Sequence, residues 1–132
     1  MTAIVDSGAS LSCASNDLAP EIEPVPSEGS ARGQTFAAAG GKELPNEGQK
    51  IVHALTSEGK QVATKWQVVP TSRPLMSVHQ ICEQGNVVVF GAHGGYIYNI
   101  SDRSQTPIAV RDNVYVLDLY LPPVATFRRQ GM

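Results

Sequence analysis

The sequence is short of most residues that mark a specialised class. Cysteine occurs only at Cys13 and Cys82, too few for the disulfide framework of a small secreted domain. Charged residues make up 17% of the chain and the net charge is -2. No broad basic face is therefore available, and nucleic-acid binding is not expected as the main task. No apolar run approaches the ~20 residues that cross a bilayer, so no membrane partner is expected. The opening residues lack the basic n-region of a signal peptide, and Asp6 interrupts their apolar stretch. An intracellular, cytoplasmic location is the expectation. Long polar–apolar repeats of period 3.6 are also scarce, which argues against a helical bundle.

What is present is a chain of 132 residues with Gly 12 and Pro 9. That length suits one domain able to bury a core without a metal or disulfide staple. The glycines and prolines punctuate short β-branched runs, the pattern of strands joined by turns. Thr2 to Val5 is the first such run and ends at Asp6-Ser7-Gly8-Ala9; Leu11 to Ala14 is the second. Residues 18–34 are rich in Pro, Glu, Ser and Gly and read as extended loop. Gln34 to Ala39 leads as a strand into Gly40-Gly41. Gly48 to Leu55 alternates imperfectly, and Gln61 to Val69 places Val62, Thr64, Trp66 and Val68 on one face at period two. The one helix expected is Leu75 to Glu83, with Pro74 at its start, Gly85 at its end, and Leu75, Val78, Ile81 and Cys82 as its buried stripe. A second hairpin spans Asn86–Phe90 and Gly95–Ile100, and the last strands are Pro107–Val110 and Val114–Leu119. The fold class is all-β, mainly β with one short helix. The domain is expected over 1–121, with 122–132, including Arg128-Arg129, as a tail or linker.

Asp6-Ser7-Gly8-Ala9 is the feature with most chemical content. A carboxylate directly after a short apolar strand sits where a tight turn exposes it. Ser7 can brace that turn locally, and Gly8 removes the Cβ that would obstruct a close backbone approach. Alone, Asp-Ser-Gly is a common tripeptide that most often marks only a turn with an exposed Asp.

Other segments extend the pattern. Thr2-Ala3-Ile4-Val5-Asp6-Ser7-Gly8-Ala9-Ser10 resembles the active-site segment of retropepsin-type aspartic proteases, most like those of copia-type retrotransposon polyproteins. Ala37-Ala38-Ala39-Gly40-Gly41-Lys42-Glu43-Leu44 stands where such proteases carry a flap. Trp66-Gln67-Val68-Val69-Pro70, then Pro74-Leu75-Met76-Ser77-Val78, then Asn86-Val87-Val88-Val89-Phe90 follow in the same order. The resemblance runs from Thr2 to about Ile100. It implies a retropepsin-like closed β-barrel protomer, active as a two-fold dimer, and an aspartic endopeptidase acting on a polyprotein.

The chemistry implied by the resemblance uses two carboxylates that share one proton, because two in contact do not both ionise. Asp17, Asp102, Asp112 and Asp118 are followed by Leu, Arg, Asn and Leu, so none repeats the motif of Asp6. The resemblance therefore implies a homodimer with Asp6 catalytic in each copy. It further implies Ser7, Gly8 and Ala9 as loop support, and Ala38, Ala39, Gly40, Gly41 and Lys42 as a flap over an extended peptide. No cofactor and no metal are expected. His79 and Cys82 lie three apart, but no C-x-x-C pair or second cluster accompanies them, and Cys82 reads as core. Ser7, Ser10 and Ser12 lack a G-x-S-x-G context, and Trp66, Tyr96, Tyr98, Tyr115 and Tyr120 read as packing residues. Two rival readings stay open: a catalytically inactive interaction module of the same fold, and an unrelated small β domain in which Asp6 is only a loop residue.

Overall fold

The computed structural model describes residues 1–122, and the expected tail lies almost wholly outside them. The elements in chain order are β1 (Thr2–Asp6), β2 (Cys13–Ala14), α1 (Glu28–Ala31), β3 (Thr35–Ala37), β4 (Glu43–Pro45), β5 (Gln49–Leu55) and β6 (Gln61–Val68). They continue with β7 (Leu75–Ser77), α2 (Val78–Glu83), β8 (Asn86–Gly91), β9 (Gly94–Asn99), β10 (Gln105–Arg111) and β11 (Val114–Asp118). Nine strands form one sheet in the order β5-β6-β2-β7-β1-β11-β10-β9-β8, and β3 and β4 form a separate hairpin. The fold is mainly β, as the alternating runs imply.

The sheet curls, so that Leu55 at the end of β5 meets Tyr120 just after β11 in an isolated antiparallel bridge. Curling gives the sheet an inside, and the strands fill it by alternation. Ala3 and Val5 of β1, Val52 and Ala54 of β5, and Trp66 of β6 are all buried there, with Trp66 only 1% exposed. Met76, Ile81, Ile108, Leu117 and Leu119 complete the cluster.

β1 is an interior strand. It pairs antiparallel with β11, Ile4 opposite Val116, and parallel with β7, Asp6 opposite Ser77. β11 thus lies beside β1, and Met1 and Leu119 exchange backbone hydrogen bonds in both directions. Asp6 is the final residue of β1, beyond the pairing with β11 but still in register with Ser77 of β7, which limits its freedom.

Three expectations need correction. The helix begins at Val78, because Leu75–Ser77 are drawn into the sheet as β7 by pairing with β1. Ser77, not Pro74, starts the helix, its side chain accepting from the Gln80 backbone N–H. Cys82 falls on the exposed side of this short helix, so it is no core residue. Residues 18–34 are not wholly loop either. Ser27 and Ser30 form a reciprocal capping box that nucleates the four-residue α1, which satisfies the end N–H groups that make so short a helix costly.

Candidate functional site

Asp6 stands at the C-terminal end of β1, half-buried, and its Oδ1 accepts from the Gly8 N–H at 2.8 Å. This closes the turn that the Asp-Ser-Gly sequence implies. A Cβ at Gly8 would lie 3.3 Å from the same Asp6 oxygen, so a side chain there would crowd the carboxylate.

The loop that follows is tied to the start of α2. Ser77 is fully buried, and its hydroxyl donates to the Ala9 carbonyl at 2.8 Å. The Ser77 N–H donates to Ser12 Oγ at 2.9 Å, while the Ser12 N–H donates to Gln80 Oε1 at 2.7 Å. Ser12, Ser77 and Gln80 thus hold the carboxylate loop against the helix, a role that reading the sequence did not assign. The signal was present: Ser77-x-x-Gln80 before an apolar run is a helix-start signature. It was hidden by placing the helix start three residues too early.

The β3–β4 hairpin faces this loop. Phe36 pairs with Leu44 and Ala37 with Glu43. Between the strands Ala39–Gly41 make a single 3-10 turn, closed by an Ala38 N–H to Lys42 carbonyl bond of 2.8 Å. Gly40 and Gly41 both have positive φ, 84° and 82°, which L side chains adopt only with strain.

Hairpin and loop enclose an open cleft of about 700 Å³. Asp6, Gly8 and Ala9 border it on one side, Phe36, Ala38 and Lys42 on another. Val69 to Arg73, the loop leading into β7, forms a further wall. Of the expected site residues, Asp6, Gly8, Ala9, Ala38 and Lys42 are therefore brought together. Gly40 and Gly41 are exposed at the hairpin tip and do not border the cleft. Ser7 lies on the other side of Asp6, in a second hollow that it shares with Phe90, Asn113 and Tyr115.

Asp6 is the only carboxylate bordering the cleft among the described residues. The nearby Cys13 thiol is held above its ordinary pKa, first by burial and then by the charge of Asp6. It is thus kept as a neutral thiol, the wrong form for a nucleophile. His79 Nε2 lies 3.3 Å from Glu83 Oε1 one turn along α2, and no group of metal-ligating side chains occurs among the described residues. No helix among them is long and apolar enough to cross a membrane.

Compared with known proteins, the chain matches no family model, no curated protein and no solved structure.

Proposed function

We propose that the chain is a retropepsin-like aspartic endopeptidase, with Asp6 as one half of a catalytic pair completed by a second copy. The observation that carries this reading is the one cleft bordered both by Asp6 and Gly8 and by the β3–β4 hairpin. A carboxylate at a strand end beneath a hairpin with a two-glycine tip suits capture of an extended peptide, with the hairpin closing over it. The curled sheet, bridged between Leu55 and Tyr120, is compatible with a closed-barrel protomer of that family. The resemblance further suggests a polyprotein as substrate.

In the proposed reaction the two Asp6 carboxyls share one proton. The ionised one takes a proton from water as the water oxygen bonds to the scissile carbonyl carbon, and the protonated one hydrogen-bonds the carbonyl oxygen as it gains charge. Collapse of the tetrahedral adduct breaks the C–N bond, and the leaving amine takes up the transferred proton. Gly8 leaves the approach to Asp6 open, and the Ser12–Ser77–Gln80 bonds fix the loop that carries it.

The test is Asp6→Asn, assayed on an unstructured polypeptide. Loss of the proton-transfer group should lower the rate by about 10²–10⁴-fold or more while the urea midpoint stays near wild type. Peptidase activity surviving in Asp6→Asn sinks the assignment and favours an interaction module or an unrelated domain.

A further inference from the structure

The cleft beside Asp6 carries a charge pattern that a general peptide groove does not need. Three charged side chains border it: Asp6 itself, Lys42 at the base of the hairpin turn, and Arg73 on the loop before β7. Lys42 and Arg73 are exposed, and neither joins an ion pair among the described residues. Elsewhere Arg32, Lys60 and Arg111 are matched to Glu28, Asp102 and Asp118, while Lys65 and Arg103 also lack an ion pair among the described residues but border no part of this cleft. The rest of the cleft wall is largely apolar, with Phe36, Leu44, Val69 and Leu75. Two cations from separate walls thus overlook one largely apolar groove, and among the described residues Asp6 is the only carboxylate that borders it.

We propose that Lys42 and Arg73 make this cleft selective for acidic peptides, extended segments carrying Glu or Asp near the residues that lie over Asp6. Binding in such a groove buries alternate apolar side chains while the intervening carboxylates reach the two cations. Arg73 can hold a carboxylate through two parallel N–H donors, and Lys42 acts as a point charge. Peptides with Lys or Arg at the same positions meet like charge, which selects against them as strongly as the attraction selects for acids. The endopeptidase reading fixes where the cut falls, and this inference rests on it only to that extent. In a two-fold dimer the cations number four, against a carboxyl pair bearing a single negative charge.

The test uses fluorescein-labelled decapeptides in matched pairs, one with Glu at alternate positions and one with Gln there, bound to the wild-type protein at low salt. The acidic peptide should bind about tenfold more tightly, the gap closing at high ionic strength. Arg73→Gln and Lys42→Gln should each narrow the gap, and Arg73→Glu should reverse it in favour of a Lys-containing peptide. Both positions are exposed, and circular dichroism verifies that the variants fold. Equal affinity within the pairs, or no binding of either peptide, overturns the inference. Cleavage is scored separately by mass spectrometry. Cleavage without charge preference overturns this inference and leaves the endopeptidase reading intact; acid-selective binding without cleavage does the reverse.

Discussion

Lys50 shows how one residue organises a segment that carries no catalytic signal. It sits on the inward face of β5 between positions that should be apolar, and it is only 3% exposed. Its ammonium donates to Asn16 Oδ1 at 3.0 Å, to the Ala19 carbonyl at 3.1 Å, and more weakly to the Asn16 and Ile22 carbonyls. Burial pushes its pKa below lysine's ordinary value, against the opposing pull of Glu21, Glu23 and Asp17. The acidic, Pro-rich segment is thus folded around a buried cation. Lys50→Met keeps the volume but strands those oxygens, and should cost about 1–3 kcal/mol, read as a lower urea midpoint. An unchanged midpoint would mean that water replaces the amine there. Asp118 does comparable work where β11 meets the start of β1: it accepts from Thr2 Oγ1 and from both terminal nitrogens of Arg111. These bonds, Arg111's first and Thr2's second, hold its pKa down at about 2. A depressed carboxylate stabilises the fold above its unfolded pKa, roughly 3.9, and loses that contribution as pH falls through about 2. Asp118→Asn should therefore cost roughly 0.5–1.5 kcal/mol at pH 6, solvent screening included. The gap from wild type should close between about pH 4 and pH 2, and a gap independent of pH would refute the linkage.

At the scale of elements, the β3–β4 hairpin and α2 act on the cleft in different ways. The hairpin pairs only with itself, so changes at its tip have little leverage on the rest of the fold. Replacing Gly40 and Gly41 by Ala forces two side chains into left-handed backbone, at about 1–2 kcal/mol each. The expected outcome is a hairpin of altered shape, with kcat/KM reduced about tenfold or more while the urea midpoint hardly moves. Equal loss of both would show that the hairpin is integral to the fold. Ser77 is the opposite case, because it serves α2, β7 and the Asp6 loop at once. Ser77→Ala should cost about 1–2 kcal/mol and also lower kcat.

These two elements mark how far the sequence could be read. Alternation on β6 and the turn signals around Gly40, Gly59 and Gly91 located the hairpins, because those signals are local. The strand at Leu75–Ser77 was not legible, since three residues become a strand only when β1 lies beside them. The buried Lys50 was visible only as a break in the alternation of β5, because its acceptors are carbonyls some 28 to 34 residues away. Asp6 was legible as a candidate from four residues, yet its cleft is walled by Phe36 and Arg73, which no local pattern joins to it.

At the scale of the whole molecule, the two outer edges of the sheet are treated differently. The β5 edge is covered at both ends, by an antiparallel bridge to Val25 and by the bridge to Tyr120. The β8 edge has no such cover among the described residues, and its sequence Asn-Val-Val-Val-Phe-Gly holds neither charge nor proline. Val87, Val89 and Phe90 are 44%, 37% and 37% exposed. An uncharged apolar edge is a template for another strand, and proteins ordinarily blunt it. Phe90 also packs on Tyr115, with ring centroids 4.6 Å apart, in the hollow that borders Asp6 and Ser7. The open edge and the unpaired carboxylate thus meet at one end of the molecule. A second copy docking there by two-fold symmetry would cover the edge and bring a second Asp6 towards the first, which the proposed chemistry requires. Val89→Lys places a charge on that edge without disturbing the core. It should raise the concentration for half-maximal specific activity at least about tenfold, with full activity recovered at high protein concentration and the unfolding transition preserved. Sedimentation equilibrium should show the same displacement of the monomer–dimer balance. Specific activity that stays constant on dilution of the wild-type protein would refute the shared site, since half of a carboxyl pair has no partner with which to divide a proton.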